Sequence, residues 1–256
     1  MSTAAPAGAQ AVTRALRILD CFHDSGPTLS ASDLSRRTGL SVSTAHRLAR
    51  TLVSAGFLEQ ATGDSRYRLG PSLTELGQLS YHQRGLHHAA PEVAALSART
   101  GVTADLAVRN GGHAVILVGD SLGPSGVGLR RPLHSTSLGK ALLAWRHPSD
   151  GGPGSLESPQ RFTARTLTEP ADLEAELDRV RKAGHAVNDG ESMLGVRSLA
   201  VPVLDREHVA RFALALRSTP EIITDDRRGW FLSRLHDCAR TLQILMLPPE
   251  DRPEPE

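Results

Sequence analysis

Between Ala11 and Gly70 the apolar residues recur at helical spacing in three short blocks and then change to strand-like runs. In the first block, Ala11 to Asp24, residues Ala15, Ile18, Leu19 and Phe22 fall at i, i+3, i+4 and i+7, one face of a helix. Ser25-Gly26-Pro27 breaks it. A second helix opens at Ser30, whose hydroxyl can accept from the amide of Asp33, itself a first-turn acid in a capping-box arrangement. Leu34 points inward, and Gly39 suits the left-handed stop. The turn Thr38-Gly39-Leu40-Ser41 leads into a third helix running from Ser41 to about Ala55, with Ala45, Leu48, Ala49 and Leu52 as its buried stripe. Phe57–Gln60 and Arg66–Leu69 then alternate as two strands around Ala61–Ser65.

Beyond Gly70, Ser72 to Ala90 has the pattern of a helix with the apolar edge Leu73, Leu76, Leu79 and Leu86, and Pro91 marks its expected end. A short helix over Pro91–Thr100 precedes two alternating runs, Val102–Val108 and His113–Val118, joined by Asn110-Gly111-Gly112 as an antiparallel hairpin. A helix near Gly139–Trp145, a Pro-, Gly- and Ser-rich mobile surface loop over His147–Gln160, and an amphipathic helix over Ala171–Ala183 stopped by Gly184 follow. Strands over Ser198–Leu204 and Val209–Leu216 and a last helix from about Asp225 to Leu247 complete an α+β pattern, a central antiparallel sheet flanked by helices.

The polar positions of the third helix point to its chemistry. Ser43, Arg47, Arg50 and Ser54 cluster within roughly 60° opposite the apolar stripe. Residues 1–70 carry eight arginines against five acids, a net of +3 in a chain whose total is only +1. A helix-turn-helix followed by a basic hairpin, with positive charge gathered on the outward face, is what a winged DNA-binding domain requires. Arginine can grip guanine or phosphate with two prongs. Arg47 and Arg50, helped by Ser43, Thr44 and His46, are the expected base or phosphate contacts, and Arg66 and Arg68 in the wing the expected backbone contacts. The bland alternative, an ordinary solvated face, would require turn, caps, polar face and basic wing to coincide by chance.

Several runs resemble the IclR family of bacterial transcriptional regulators: Val12–Leu19, Ser43–Leu52 and Tyr67–Pro71 in the N-terminal half, then Leu133–Ala144, Gly184–Asp189 and Gly195–Val203. The resemblance covers about Val12 to Leu247. It implies a winged helix-turn-helix over 11–70, a linker helix over 71–90 that helps pair subunits, and a GAF-like effector-binding domain over 91–247, between tails at 1–10 and 248–256 expected to be disordered. It implies subunits assembled as a homo-oligomer, a dimer or a dimer of dimers, on a double-stranded palindromic operator. Matching the family's ligand-contacting places gives Ser137, Leu138, Asn188, Val196, Ser198, Ala215 and Arg217 as effector-binding residues. The chain departs from the family there: Asn188 stands where Asp is frequent, Ser198 where Cys is common, and Ala215 with Arg217 where some members carry hydroxyls. An inward Arg217 would favour a carboxylate-bearing ligand, whereas a shift of one residue would bring Ser218 inward instead.

Composition narrows the remaining classes. With 256 residues, 39% of them hydrophobic, the chain suits a mid-sized domain plus a small one. No apolar run approaches the ~20 residues of a membrane span, and the N-terminus lacks the basic start and apolar core of a signal peptide, so a cytoplasmic protein without a membrane partner is expected. Cys21 and Cys238 lack metal-ligand spacing and read as buried free thiols, and His82, His87 and His88 as solvated residues with no metal. Gly123–Gly128 lacks dinucleotide-loop spacing, and neither a P-loop nor Gly-x-Ser-x-Gly occurs, so neither cofactor nor catalytic role is expected. An enzyme or metabolite-binding protein with an unrecognised C-terminal site, or a DNA-binding protein without a ligand, are the alternatives. Operator, effector identity and the sign of regulation are not encoded in any of these patterns.

Overall fold

The structure is a computed structural model and describes residues 9–23, 26–60, 63–122 and 130–253. Of the tails expected to be disordered at 1–10 and 248–256, residues 1–8 and 254–256 lie outside the described residues, as do Asp24, Ser25, Ala61, Thr62 and the run 123–129, whereas Ala9 and Gln10 belong to the first helix. The chain divides between Gln83 and Arg84 into two units.

The first unit holds α1 (Ala9–Asp20), α2 (Ala31–Thr38), α3 (Val42–Ser54), β1 (Leu58–Gln60), β2 (Tyr67–Leu69) and α4 (Pro71–Gln83). Its helices start where side chains satisfy the free amides of a first turn. Ser30 Oγ accepts from the Asp33 amide at 3.1 Å, and Asp33 Oδ2 accepts from the Ser30 amide at 3.0 Å. The Ser30 amide, with the Ser30 hydroxyl donating to the same oxygen at 2.8 Å, holds the Asp33 carboxyl below the usual carboxylate range. Gly39 stops α2 at φ 72°, and Ser41 Oγ caps α3 by accepting from the Thr44 amide at 3.2 Å. Ile18, Leu34, Ala45, Leu48, Ala49 and Leu52 form the buried centre. Tyr67 closes it from the hairpin: its amide and carbonyl pair with those of Leu29 at 2.7 and 2.9 Å, which ties the wing to the segment before α2.

The linker differs from its sequence pattern. One helix over 71–90 ending at Pro91 was the expectation, whereas α4 stops at Gln83 and α5 (Leu86–Thr100) runs straight through Pro91. Gly85 sits at φ 68°, the left-handed conformation glycine adopts without a Cβ penalty, and it breaks the ladder. Pro91 lies on the exposed face, while Leu86, Ala89, Val93 and Leu96 bury the other. Burial along that stripe outweighs the proline's missing donor, as tertiary packing supplies most helical stability.

The second unit is built on a six-stranded sheet in the order β5-β4-β3-β8-β7-β6, with every neighbouring pair antiparallel. Its strands are β3 (Thr103–Asn110), β4 (His113–Gly119), β5 (Arg130–Pro132), β6 (Ala186–Asp189), β7 (Arg197–Leu204) and β8 (Ala210–Ser218). The helices α6 (Ser137–Ala144) and α7 (Pro170–Ala183) share one core with the sheet, whereas α5 and α8 (Arg228–Met246) pack together. Two strands, β5 and β6, were not foreseen, being too short for periodicity to register. The loop expected to be mobile over His147–Gln160 contains a 3-10 turn at Pro153–Ser155 with Pro153 buried. Part of the expected C-terminal tail is also ordered: Pro249–Asp251 forms a 3-10 turn, and the Asp251 carbonyl accepts from the Arg206 amide at 2.9 Å. Proline-rich residues folded back on the β7–β8 turn lose little backbone entropy in doing so.

Candidate functional site

On the first unit, α3 turns Leu48 and Ala49 into the core, so residues half a turn away face outward. Ser43, His46, Arg47 and Arg50 are exposed and Thr44 is half-buried against Ser41, whose hydroxyl donates to Thr44 Oγ1 at 2.8 Å. The guanidinium groups of Arg47 and Arg50 make no hydrogen bond or ion pair among the described residues. His46 lies edge-on to the buried Tyr67 ring, centroids 6.4 Å apart, so the helix face and the wing meet there.

The wing arginines are engaged within the fold. Arg66 donates to Thr28 Oγ1 at 2.9 Å and to the Thr28 carbonyl at 2.8 Å, and Arg68 pairs with its cross-strand neighbour Glu59 at 2.5 Å. Their forks are thus partly spent on holding the hairpin in place, a commitment that charge counting along the sequence could not register.

In the second unit all seven residues expected from the resemblance line one cavity of about 330 Å³, within the size range of small-ligand sites. Strand register explains the convergence. Asn188 lies opposite Ser198, Ser198 opposite Arg217, and Ala215 opposite both Asp105 and Ala200, so these side chains share one face of the sheet. Arg217, not Ser218, faces the cavity. The N-terminus of α6 supplies Ser137 and Leu138, held by Thr136, whose Oγ1 accepts from the Gly139 amide at 3.1 Å and donates to the Pro132 carbonyl at 2.7 Å. Ser137 and Ser198 join their hydroxyls at 2.7 Å, both buried. Asn188 uses its amide on its own chain: Oδ1 accepts from the Glu191 amide at 2.9 Å, and Nδ2 donates to Ser192 Oγ at 2.8 Å. That fixes the turn bringing Ser192, Met193 and Val196 to the cavity.

Seven lining residues were not anticipated, Asp105, Arg131 and Phe162 among them. Asp105 had a signal, a carboxylate between the apolar residues Ala104 and Leu106. It accepts from the Ser121 amide at 3.0 Å and the Ser121 hydroxyl at 2.5 Å, and Arg217 Nη2 reaches the same hydroxyl at 3.1 Å. Arg131 had none, because β5 is three residues long. Burial pulls its guanidinium below its ordinary value, and the like charge of Arg217 adds to the pull while Asp105 opposes it. Two cations and one anion thus border the cavity, an excess of one positive charge.

Among the described residues no group of three His, Cys, Asp or Glu could hold a metal, and no helix is long and apolar enough to cross a membrane. Cys21 and Cys238 are buried free thiols, and burial pushes Cys238 up to about 11.

Comparison with known proteins places this geometry. Residues 11–62 match the IclR helix-turn-helix domain, and residues 81–244 match the family described as bacterial transcriptional regulator IclR C-terminal. The chain is 33% identical over 241 residues to the HTH-type transcriptional regulator XynR of Escherichia coli K12, covering 91% of this chain and 95% of that protein. A crystal structure assigned to the ICLR transcriptional regulators, from Silicibacter sp. TM1040, superposes with a TM-score of 0.81 at 29% identity, covering 95% of this chain and 100% of that one. An IclR homologue from Microbacterium hydrocarbonoxydans complexed with 4-hydroxybenzoate gives a TM-score of 0.75 at 26% identity, covering 92% of this chain and 98% of that one. With a helix-turn-helix ahead of an α+β domain that encloses a ligand-sized cavity, the chain belongs to the IclR family of DNA-binding transcriptional regulators with a C-terminal effector-binding domain.

Proposed function

We propose that this regulator responds to a small monocarboxylate held between Arg217 and Arg131, and that paired subunits present two α3 helices to the half-sites of a palindromic operator. The observation carrying the first part is the charge around the cavity: two half-buried arginines against the single carboxylate of Asp105, beside the apolar walls of Leu138, Val196 and Ala215. One bound carboxylate would neutralise that excess, and guanidinium forks match its geometry. The aromatic acid in the Microbacterium homologue supports the same class of ligand. Ser137, Ser198 and Asn188 supply hydroxyl and amide groups for the remainder of the molecule. The cytoplasm, where chromosomal DNA is accessible, is the compartment this role requires.

Calorimetric titration of short-chain and aromatic acids, 4-hydroxybenzoate included, tests the cavity. For an acid that binds, Arg217→Ala should weaken affinity at least ~10-fold, corresponding to the ~1.5–3 kcal/mol of a hydrogen bond to a charged group. Unchanged affinity would remove Arg217 from the site. Recovery of the acid unaltered after prolonged incubation separates a regulator from an enzyme.

Binding can alter transcription only if the acid has different affinities for two arrangements of the protein, one favouring the operator. On the DNA side the guanidinium groups of Arg47 and Arg50, unpaired among the described residues, carry the reading, with Ser43, Thr44 and His46 beside them. Arg66 and Arg68 approach phosphates through the donors left over from Thr28 and Glu59. Arg47→Ala should cost ~1–3 kcal/mol of operator affinity if it reads a base. A loss of equal size on unrelated duplexes, with a shallower salt dependence, would make Arg47 a phosphate contact instead.

A further inference from the structure

A second cavity, of about 830 Å³, lies between the β3–β4 turn and the loop 149–162. It contains none of the seven residues discussed above. Pro132 and Phe162 line both cavities, so these two residues form the wall between them.

The wall is held on both sides. On the far side the Phe162 ring stacks on His134, centroids 5.9 Å apart and planes 21° from parallel, and His134 is buried with Nε2 at 2.9 Å from the Gln160 carbonyl. Behind the ring, Thr166 Oγ1 accepts from the amides of Phe162 and Thr163 at 3.0 and 2.8 Å and donates to the Glu191 carbonyl at 2.7 Å. Thr163 Oγ1 donates to the Gly190 carbonyl at 2.7 Å. The segment bearing Phe162 is therefore laced to the turn that carries Ser192 and Met193.

Resting on the carboxylate reading of the smaller cavity, we infer that Phe162 is a specificity-determining residue that limits the length of the acid by closing the cavity opposite Arg217. A single ring or a short chain fits between the arginines and Phe162. A longer acid must displace the ring from its stack on His134. Beyond the ring the space is already open, and Arg109 is there with Nη2 donating to the Gly151 carbonyl at 2.8 Å and Nη1 buried without a partner among the described residues. Loss of the phenyl group would merge the two cavities without a change of fold, since the side chain is 40% exposed and supports no core.

The test is calorimetry on the full-length protein with a one-ring acid, 4-hydroxybenzoate, and a two-ring acid, biphenyl-4-carboxylate. Wild type should bind the first and discriminate against the second. Phe162→Ala should bind the two-ring acid at least ~10-fold better than wild type does, the lower end of what one misfitting group costs in a shaped apolar pocket. Phe162→Tyr should keep the wild-type preference. Equal binding of both acids by wild type, or no gain in Phe162→Ala while the one-ring acid still binds, would overturn the length limit and leave the carboxylate cavity standing. One-ring binding indifferent to Arg217→Ala, or no binding of either acid to any variant, would instead overturn the carboxylate reading and the length limit with it.

Discussion

Lys140→Met should destabilise the Arg84–Glu256 unit by ~3–5 kcal/mol, the cost of leaving buried charge without its partner. The side chain is fully buried in α6, with Nζ at 2.6 Å from Glu191 Oε1 and 3.0 Å from Glu176 Oε1. Burial pushes the Glu191 carboxyl up, and Lys140 is the first group opposing that rise. Without the ammonium, Glu191 must take up a proton to remain buried. A carboxyl whose folded pKa is raised binds protons more tightly in the folded state, so stability falls as pH rises from the unfolded value toward the folded one. The deficit should therefore be smallest in acid, below the ordinary glutamate range, and full above the raised value. Both tryptophans, Trp145 and Trp230, belong to this unit, so fluorescence-detected urea unfolding reads it directly. Adding Glu191→Gln to Lys140→Met should recover part of the loss. A single variant as stable as wild type at neutral pH would show that the ion cluster contributes nothing. Function should suffer too, because Glu191 opens the turn that brings Ser192, Met193 and Val196 to the cavity.

Gly139→Ala should be comparably damaging, against the direction that local propensity gives. In an isolated helix alanine is favoured over glycine by ~1 kcal/mol. At position 139 a Cβ would stand 2.6 Å from the carbonyl carbon of Leu133 and nearer still to its Cα and oxygen. Those are backbone atoms of the segment joining β5 to α6, and no rotamer can relieve the overlap. Either α6 or that segment must shift, which puts the cost at or above the top of the ~1–3 kcal/mol range for overpacking. Ser137 and Leu138 precede the glycine on the same helix, so the displacement reaches the cavity. A stabilised variant with unchanged ligand affinity would mean that the helix does not pack against Leu133 this closely.

The N-terminal unit follows its sequence closely because its signals are local. Ser30 with Asp33, Gly39 and Ser41 each act within four residues, and the stripe Ala45, Leu48, Ala49 and Leu52 needs only the helical period. The linker was less legible. Pro91 reads as a stop when propensity is considered alone, yet its helix buries one face and continues, and the break falls at Gly85. The cavity was legible only in part. The family pattern placed Ser137, Asn188, Ser198 and Arg217, and a carboxylate between Ala104 and Leu106 hinted at Asp105. Arg131 and Phe162 carried no such mark, since a three-residue strand and a connecting segment show no periodicity.

The order of elements, the caps, the outward arginines of α3 and the family were determined by the sequence alone, since capping chemistry and helical period act between near neighbours. Three things were decided only by the tertiary structure: that Arg66 and Arg68 are already engaged, that Arg131 joins Arg217 against Asp105, and that Gly139 lies against backbone. Each depends on which distant segments meet, and that is set by sheet register and close packing, not by spacing along the chain.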